Sequence, residues 1–240
     1  MSSRSLVDKI TPLLEEILLS SARGDGKPHS ERSLSERLGV SRPILREALR
    51  SLRQRGLVEI VPGKGIFPAH NIHQPTVMAM QDYLRRKQIG FPALLEGRLF
   101  LETHIAETAA ERRTDEDVRA LAETLSKMER SLNDAEPFEQ ADLEFHLLLA
   151  TATHNDLFLI WLQPIIGMLE ERRNRIVTLG DVRNRALEAH AGIFDAVKQR
   201  DGARARLEME KHVCAFEKDT KLAIRLGLLP PDTDARLEAG

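Results

Sequence analysis

The sequence predicts a mainly α protein in two parts, a small basic N-terminal domain and a C-terminal antiparallel bundle of about seven helices. Three observations carry this. Apolar residues recur at helical spacing through almost the whole chain, β-favouring residues concentrate in one short stretch near 57–67, and charge is divided unevenly along the 240 residues. A chain of this length is expected to form one or two domains with a sizeable core. Residues 1–69 hold 12 Lys and Arg against 8 Asp and Glu, whereas residues 70–240 hold 23 against 29. The excess is sharpest from Lys27 to Lys64, with 9 bases and 4 acids, and points to a polyanion partner for the first part only.

Leu6, Ile10, Leu13, Leu14, Ile17 and Leu18 give an amphipathic first helix over 5–20, ended by SARGDGKPH. A short second helix follows, with Ser30 or Ser33 as N-cap, Leu34 and Leu38 one turn apart, and Gly39 as its stop. Ser41 caps a third helix that carries Pro43 in its first turn and closes at Gly56. Leu57–Val61 and Ile66-Phe67 form a hairpin about Pro62-Gly63-Lys64-Gly65. From Pro75 onward helices are expected at 75–88, 91–113, 115–132, 135–153, 157–177, 181–199 and 202–226, separated by turn residues at Gly90, Asn133-Asp134, Asn155, Gly180 and Asp201-Gly202. The domain boundaries read as 1–69, a linker at 70–74, a helical domain at 75–228 and a frayed tail at 229–240.

Several classes are excluded. The longest apolar run, Leu157–Leu162, is far short of the roughly 18 residues of a membrane span. The first ten residues include an acid and two bases where a signal peptide needs an apolar core, so export is not expected and the cytoplasm is. One cysteine, Cys214, excludes an internal disulfide and any multi-cysteine zinc site.

In the third helix Arg42, Arg46, Arg50 and Arg53 fall within roughly 80° of arc, opposite Leu45, Ala48, Leu49 and Leu52. One side is core and the other a guanidinium ridge, and arginine forks match both phosphate oxygens and the O6/N7 edge of guanine. The stretch SERSLSERLGVSRPILREALRSLRQRGLVEIVPGKGIF resembles the winged helix-turn-helix of GntR-family transcription regulators. The resemblance implies double-stranded DNA contacts through Arg32, Arg42, Arg46, Gly63 and Lys64. Pro43 stands where the family often has threonine, and Pro28-His29 replaces a leucine-proline entry.

Four ionisable residues of the acidic part sit where the helical period expects apolar ones. Asp142 and His146 lie on the stripe Phe138, Ala141, Phe145, Leu149; His190 lies with Ala186, Ala189, Ile193, Phe194 and Val197; His212 falls with Met209, Val213 and Phe216. Burying three histidines and a carboxylate without a common partner is costly, and a shared divalent cation resolves it. Zinc, nickel and manganese all suit three nitrogens and one oxygen. His29, His70, His73, His104 and His154 lie in loops or off the stripes. ADLEFHLLLATATHN is similar to the signature of the FCD ligand-binding domain of the FadR subfamily, which implies Asp142, His146, His190 and His212 as metal ligands. LLEGRLFLE is similar to the same family's effector helix and implies that Arg98, with Glu102 one turn on, holds a small organic or sugar acid.

Together these features predict a metal-containing, ligand-responsive DNA-binding regulator with repression as its expected outcome, acting as a homodimer on a palindromic operator. The competing class is a metal-dependent, hydrolase-like enzyme fused to a DNA-binding domain. The chain holds no H-E-x-x-H and no nucleophile motif to serve it. A constitutive architectural DNA-binder would need none of the polar interior.

Overall fold

A computed structural model describes residues 3–22, 28–69 and 73–231. The chain divides into two units, Met1–Thr76 and Val77–Gly240.

In the first unit α1 (Ser3–Ala22) buries Ile10, Leu14 and Leu18. The Ser30 hydroxyl caps α2 (Glu31–Leu38) by accepting from Ser33 N at 3.0 Å. Gly39 ends it in the left-handed conformation, at φ 64°, where a side chain would be strained. α3 (Arg42–Gln54) then starts with Pro43 in its first turn; Ser41 takes the N-cap position without a side-chain hydrogen bond. β1 (Val58–Val61) pairs antiparallel with β2 (Gly65–Pro68), Val61 opposite Gly65. Between them Lys64 N donates to Val61 O at 3.0 Å, with Pro62 and Gly63 (φ 74°) as the central turn residues. Ten residues close the core, from Ile10, Leu14 and Leu18 through Leu34, Leu45, Ala48, Leu49 and Leu52 to Val58 and Ile66. His29, read from sequence as loop, exchanges two 2.8 Å backbone hydrogen bonds with Ile66. A one-residue rung has no periodicity for the sequence to display. The rest of the α1–α2 connection, residues 23–27, lies outside the described residues, as do residues 70–72 of the expected linker.

The second unit comprises α4 (Gln74–Arg86), which begins just before it, then α5 (Phe91–Arg112), α6 (Asp115–Arg130), α7 (Ala135–Ala152), α8 (Asp156–Met168), α9 (Glu170–Ile176), α10 (Val182–Lys198) and α11 (Gly202–Arg225). α5 is the central helix, packed along α11 and also against α7, α8 and α10. Its neighbours close a core around Ile105, Ala109, Phe145, Leu149, Leu162, Ile193, Val197, Met209 and Val213.

The structure overturns two expectations. The helix expected at 157–177 is two helices, broken at Leu169. Leu169 N bonds only three residues back to Ile166 O at 3.1 Å, and the Arg173 guanidinium also takes the Ile166 carbonyl. Among the described residues the non-glycines in a left-handed turn conformation are Gln88, His154 and Arg200, each adjacent to or near a residue read as the turn signal. Arg200 is held there by its own guanidinium, which caps Glu111 O at 2.7 Å and Arg113 O at 2.9 Å. Finally, the stretch read as frayed begins packed. Gly227 (φ 71°) turns the chain so that Leu228 N reaches Ala223 O, and Leu229 is buried against Ile176, Val182 and Ala223. Residues 232–240 of that tail lie outside the described residues.

Candidate metal centre and nucleic-acid face

The third helix of the N-terminal unit buries Leu45, Ala48, Leu49 and Leu52 and leaves Arg42, Arg46, Arg50 and Arg53 exposed. Acidic partners that the charge count had averaged away are interleaved with this ridge. Arg46 Nε donates to both Glu31 carboxylate oxygens, at 3.0 and 3.2 Å, across from the start of α2. Arg32 Nε meets Glu36 at 2.9 Å and Arg50 meets Glu47 at 3.0 Å. These pairs are solvent-exposed, so each contributes little to stability. Their effect is on availability. With Nε engaged, both terminal nitrogens of Arg46 remain for an incoming acceptor pair. Gly63 and exposed Lys64 stand at the hairpin tip.

In the helical unit α7 contributes Asp142 and His146 one turn apart, α10 contributes His190 and α11 contributes His212. All four are buried, and one ligand atom from each lies within 4.8 Å of the others. His190 Nε2 is 3.3 Å from His146 Nε2 and 3.3 Å from Asp142 Oδ1. A metal–ligand bond of roughly 2.0–2.1 Å sets neighbouring ligand atoms about 3.0–3.4 Å apart, so these separations suit a common ion.

Surrounding groups decide which nitrogens face inward. His190 Nδ1 is 2.6 Å from Ala186 O, an acceptor, and therefore carries the proton. His146 Nδ1 lies against Glu102 Oε2, and neither atom has another partner. Both Nε2 atoms thus present lone pairs to each other. The Arg98 guanidinium reaches one of them, with Nη2 3.4 Å from His146 Nε2, and a cation between the two rings would satisfy both. Burial pushes His190 down to about 4 against the opposing pull of Asp142. Burial, joined by His190, His146 and Arg98, holds His212 well below its ordinary value. Neutral imidazoles are the form that binds metal. For Glu102, burial favours the protonated acid, but the Arg98 guanidinium and His146 outweigh it and bring the carboxyl down to about 2.

Arg98 comes from α5, with its side chain 1 % exposed. Its Nε is held by Glu102 Oε1, its guanidinium stacks on Phe216 at 4.7 Å and its Nη2 is 3.4 Å from His146 Nε2. Nη1 is buried without a partner. Arg98, Asp142 and His212 line one cavity of about 60 Å³, whose apolar walls include Val182, Ala189 and Phe216. Glu102, grouped with the effector contacts from sequence, is not among the residues lining that cavity. Nor are His146 and His190; Glu102 touches Arg98 and His146. Sequence reading missed Arg173, Arg185 and Asp219, which also line the cavity. Each is half of an ion pair, Arg173 with Glu139 and Arg185 with Asp219, both at 2.8 Å. No spacing signal marks such partners, because each pair joins two different helices.

A winged helix-turn-helix followed by a helical unit with a cavity lined by charged side chains defines a class, the two-domain bacterial transcription regulators. Residues 6–67 match the model of the bacterial regulatory proteins of the gntR family, and residues 93–215 match that of the FCD domain. The chain is 35% identical over 200 residues to the HTH-type transcriptional regulator LutR of Bacillus subtilis, covering 80% of this chain and 90% of that protein. It is 29% identical to the HTH-type transcriptional repressor NanR of Salmonella newport, with 89% and 84% covered. Among solved structures, Streptococcus agalactiae GntR superposes with a TM-score of 0.69 at 26% identity, over 88% of this chain and 99% of that one. The chain belongs to the GntR family and, with its FCD domain, to the FadR-like branch; these are regulators of transcription and not enzymes. Among the described residues no helix is long and apolar enough to cross a membrane.

Proposed function

We propose that this chain is a cytoplasmic, metal-loaded repressor that binds a palindromic operator as a homodimer and responds to a small carboxylate, an organic or sugar acid. Residues 1–69 form its DNA-binding domain and residues 75–228 its effector domain. The observation that carries the effector reading is the buried Nη1 donor of Arg98, which has no partner, on a side chain that lines a cavity with Asp142 and His212. A six-coordinate zinc, nickel or manganese ion held by Asp142, His146, His190 and His212 would keep two positions open for a carboxylate. Arg98 adds a charge-assisted hydrogen bond where little water competes. A cavity of about 60 Å³ favours a compact acid over a long acyl chain. The effector then changes the population of operator-competent states by its differential affinity, typically about 1–3 kcal/mol. The relative named a repressor supports the sign of the response.

The test is a thermal-shift screen of small carboxylates against metal-loaded protein, repeated with Arg98→Ala. A hit should raise the midpoint of the wild type, shift operator affinity, and do neither in the variant, whose metal content stays near one ion per chain. An unchanged effector response in Arg98→Ala would leave Arg98 as a buried ion-pair partner only.

On the DNA side, Arg32, Arg42 and Arg46 are assigned to the operator, and Gly63 and Lys64 to the adjacent backbone or groove. Lys64 stands exposed at a tip, so Lys64→Ala should weaken binding to all sequences alike and reduce the slope of log affinity against log salt by about one. A salt titration of operator and unrelated DNA reads this directly. A loss confined to the operator would make Lys64 a base reader instead.

A further inference from the structure

The Arg98–Glu102 pair does not have the form of an ordinary buried salt bridge. A guanidinium and a carboxylate left to themselves pair fork to fork, through two parallel hydrogen bonds. Here the carboxylate is divided: Oε1 takes Arg98 Nε, Oε2 lies against His146 Nδ1, and Arg98 Nη1 is left without a partner. All three side chains are at most 2 % exposed, so no solvent substitutes for either contact. Glu102 is therefore shared between a candidate anion donor and a candidate metal ligand.

We infer that Glu102 is the positioning residue of the site, fixing His146 in the tautomer that turns an Nε2 lone pair to the metal while it aims Arg98 at the anion. This rests on the metal and effector reading above. An ionised carboxylate only accepts, and a neutral imidazole has one N–H, so the proton of His146 must sit on Nδ1. Its Nε2 lone pair then faces the cluster beside His190 Nε2 and Asp142, where Arg98 Nη2 stands 3.4 Å from it. The same acceptor on Arg98 Nε rotates the guanidinium onto Phe216, with Nη1 left over. One carboxylate thus prepares both halves of the pocket before either ligand arrives.

Glu102→Gln separates this role from that of a plain salt-bridge partner. The amide oxygen must face Arg98, which offers only donors, so the amide NH₂ faces His146 Nδ1. That nitrogen must then accept, the proton moves to Nε2, and the lone pair the metal needs is gone. With Co(II) as the probe, Glu102→Gln should bind about 10–100-fold more weakly than wild type. Arg98→Met should lose less Co(II) affinity than Glu102→Gln and keep an Nδ1–H His146, because Glu102 still holds that nitrogen. Nitrogen-15 spectra of metal-free protein labelled at histidine, with His146 assigned by its Gln variant, should show Nδ1–H in wild type and Nε2–H in Glu102→Gln. Equal losses in Glu102→Gln and Arg98→Met, wild-type Co(II) affinity in Glu102→Gln, or an Nε2–H His146 in the wild type would each overturn the inference. Should Glu102→Gln fail to fold, by circular dichroism, the wild-type tautomer still decides it. A wild type that binds no Co(II), with His146 nonetheless Nδ1-protonated, would refute the metal reading and leave the tautomer assignment standing.

Discussion

Replacing Arg42 and Arg46 together by alanine is expected to lower operator affinity by about 30-fold to 10⁴-fold, at fixed salt, with much of the discrimination against unrelated DNA lost. Each arginine that reads a base contributes roughly 1–3 kcal/mol, and about 1.4 kcal/mol is a factor of ten. Both residues lie on the exposed side of a helix whose other side is fully committed to core, so truncating them leaves Leu45, Ala48, Leu49 and Leu52 undisturbed. The fold should therefore survive, and circular dichroism should match the wild type. Arg46 enters with Nε on Glu31 and its two terminal nitrogens facing outward, an arrangement that costs little further ordering when guanine or phosphate arrives. Fluorescence anisotropy on the operator and a scrambled duplex, over a range of salt, measures both affinity and selectivity. Unchanged operator binding in the double variant would remove α3 as the recognition helix.

His190→Ala is expected to reduce bound metal from about one ion per chain to well under a tenth, together with the stability that the ion confers. Metal at about a thousand times its dissociation constant stabilises by roughly 4 kcal/mol, and each kcal/mol moves the midpoint of a domain this size by about 2–4 °C, so a fall of about 8–16 °C is expected. Asp142→Asn, nearly isosteric, should follow His190→Ala in metal content while leaving the packing of His190 against Phe145 in place. Elemental analysis of protein never exposed to chelator checks the first part, and calorimetry the second. Absence of metal from the wild type would return the cluster to hydrogen-bonded core residues.

Acid should expose the same site in the metal-free protein. The folded-state value of His190 is about 4, below the value near 6.5 of an unfolded chain, so below pH 6.5 the unfolded state binds the extra proton. Stability present above pH 6.5 is therefore lost as pH falls toward 4, by on the order of 3 kcal/mol for this fully buried ring. Glu102, held at about 2 against 4.5, continues the loss below pH 4.5. Metal should displace the first phase to lower pH, because protons must then compete for the ligands. A midpoint flat from pH 7 to 4 in chelated protein would contradict the neutral, buried state of the histidines.

The placement of the functional residues was largely legible in the sequence, because helical period alone shows that Asp142, His146, His190, His212 and Arg98 interrupt apolar stripes. A polar residue on a core-facing stripe must find a partner, and this much is settled locally. The arginine ridge of α3 is legible for the same reason. Pairing between different elements was not. That Glu31 engages Arg46, that His29 forms a rung with Ile66, and that Arg173 breaks a helix by taking the Ile166 carbonyl all depend on groups brought together only by folding. Glu102 shows the division most clearly. Its spacing from Arg98 announces an i,i+4 ion pair, but only the packing of α5 against α7 brings His146, 44 residues further along, to its other oxygen. Sequence determined which side chains turn inward, since that follows from the backbone period. The tertiary structure decided which of them come within reach of one another, since their interactions act over a few ångströms and are indifferent to distance along the chain.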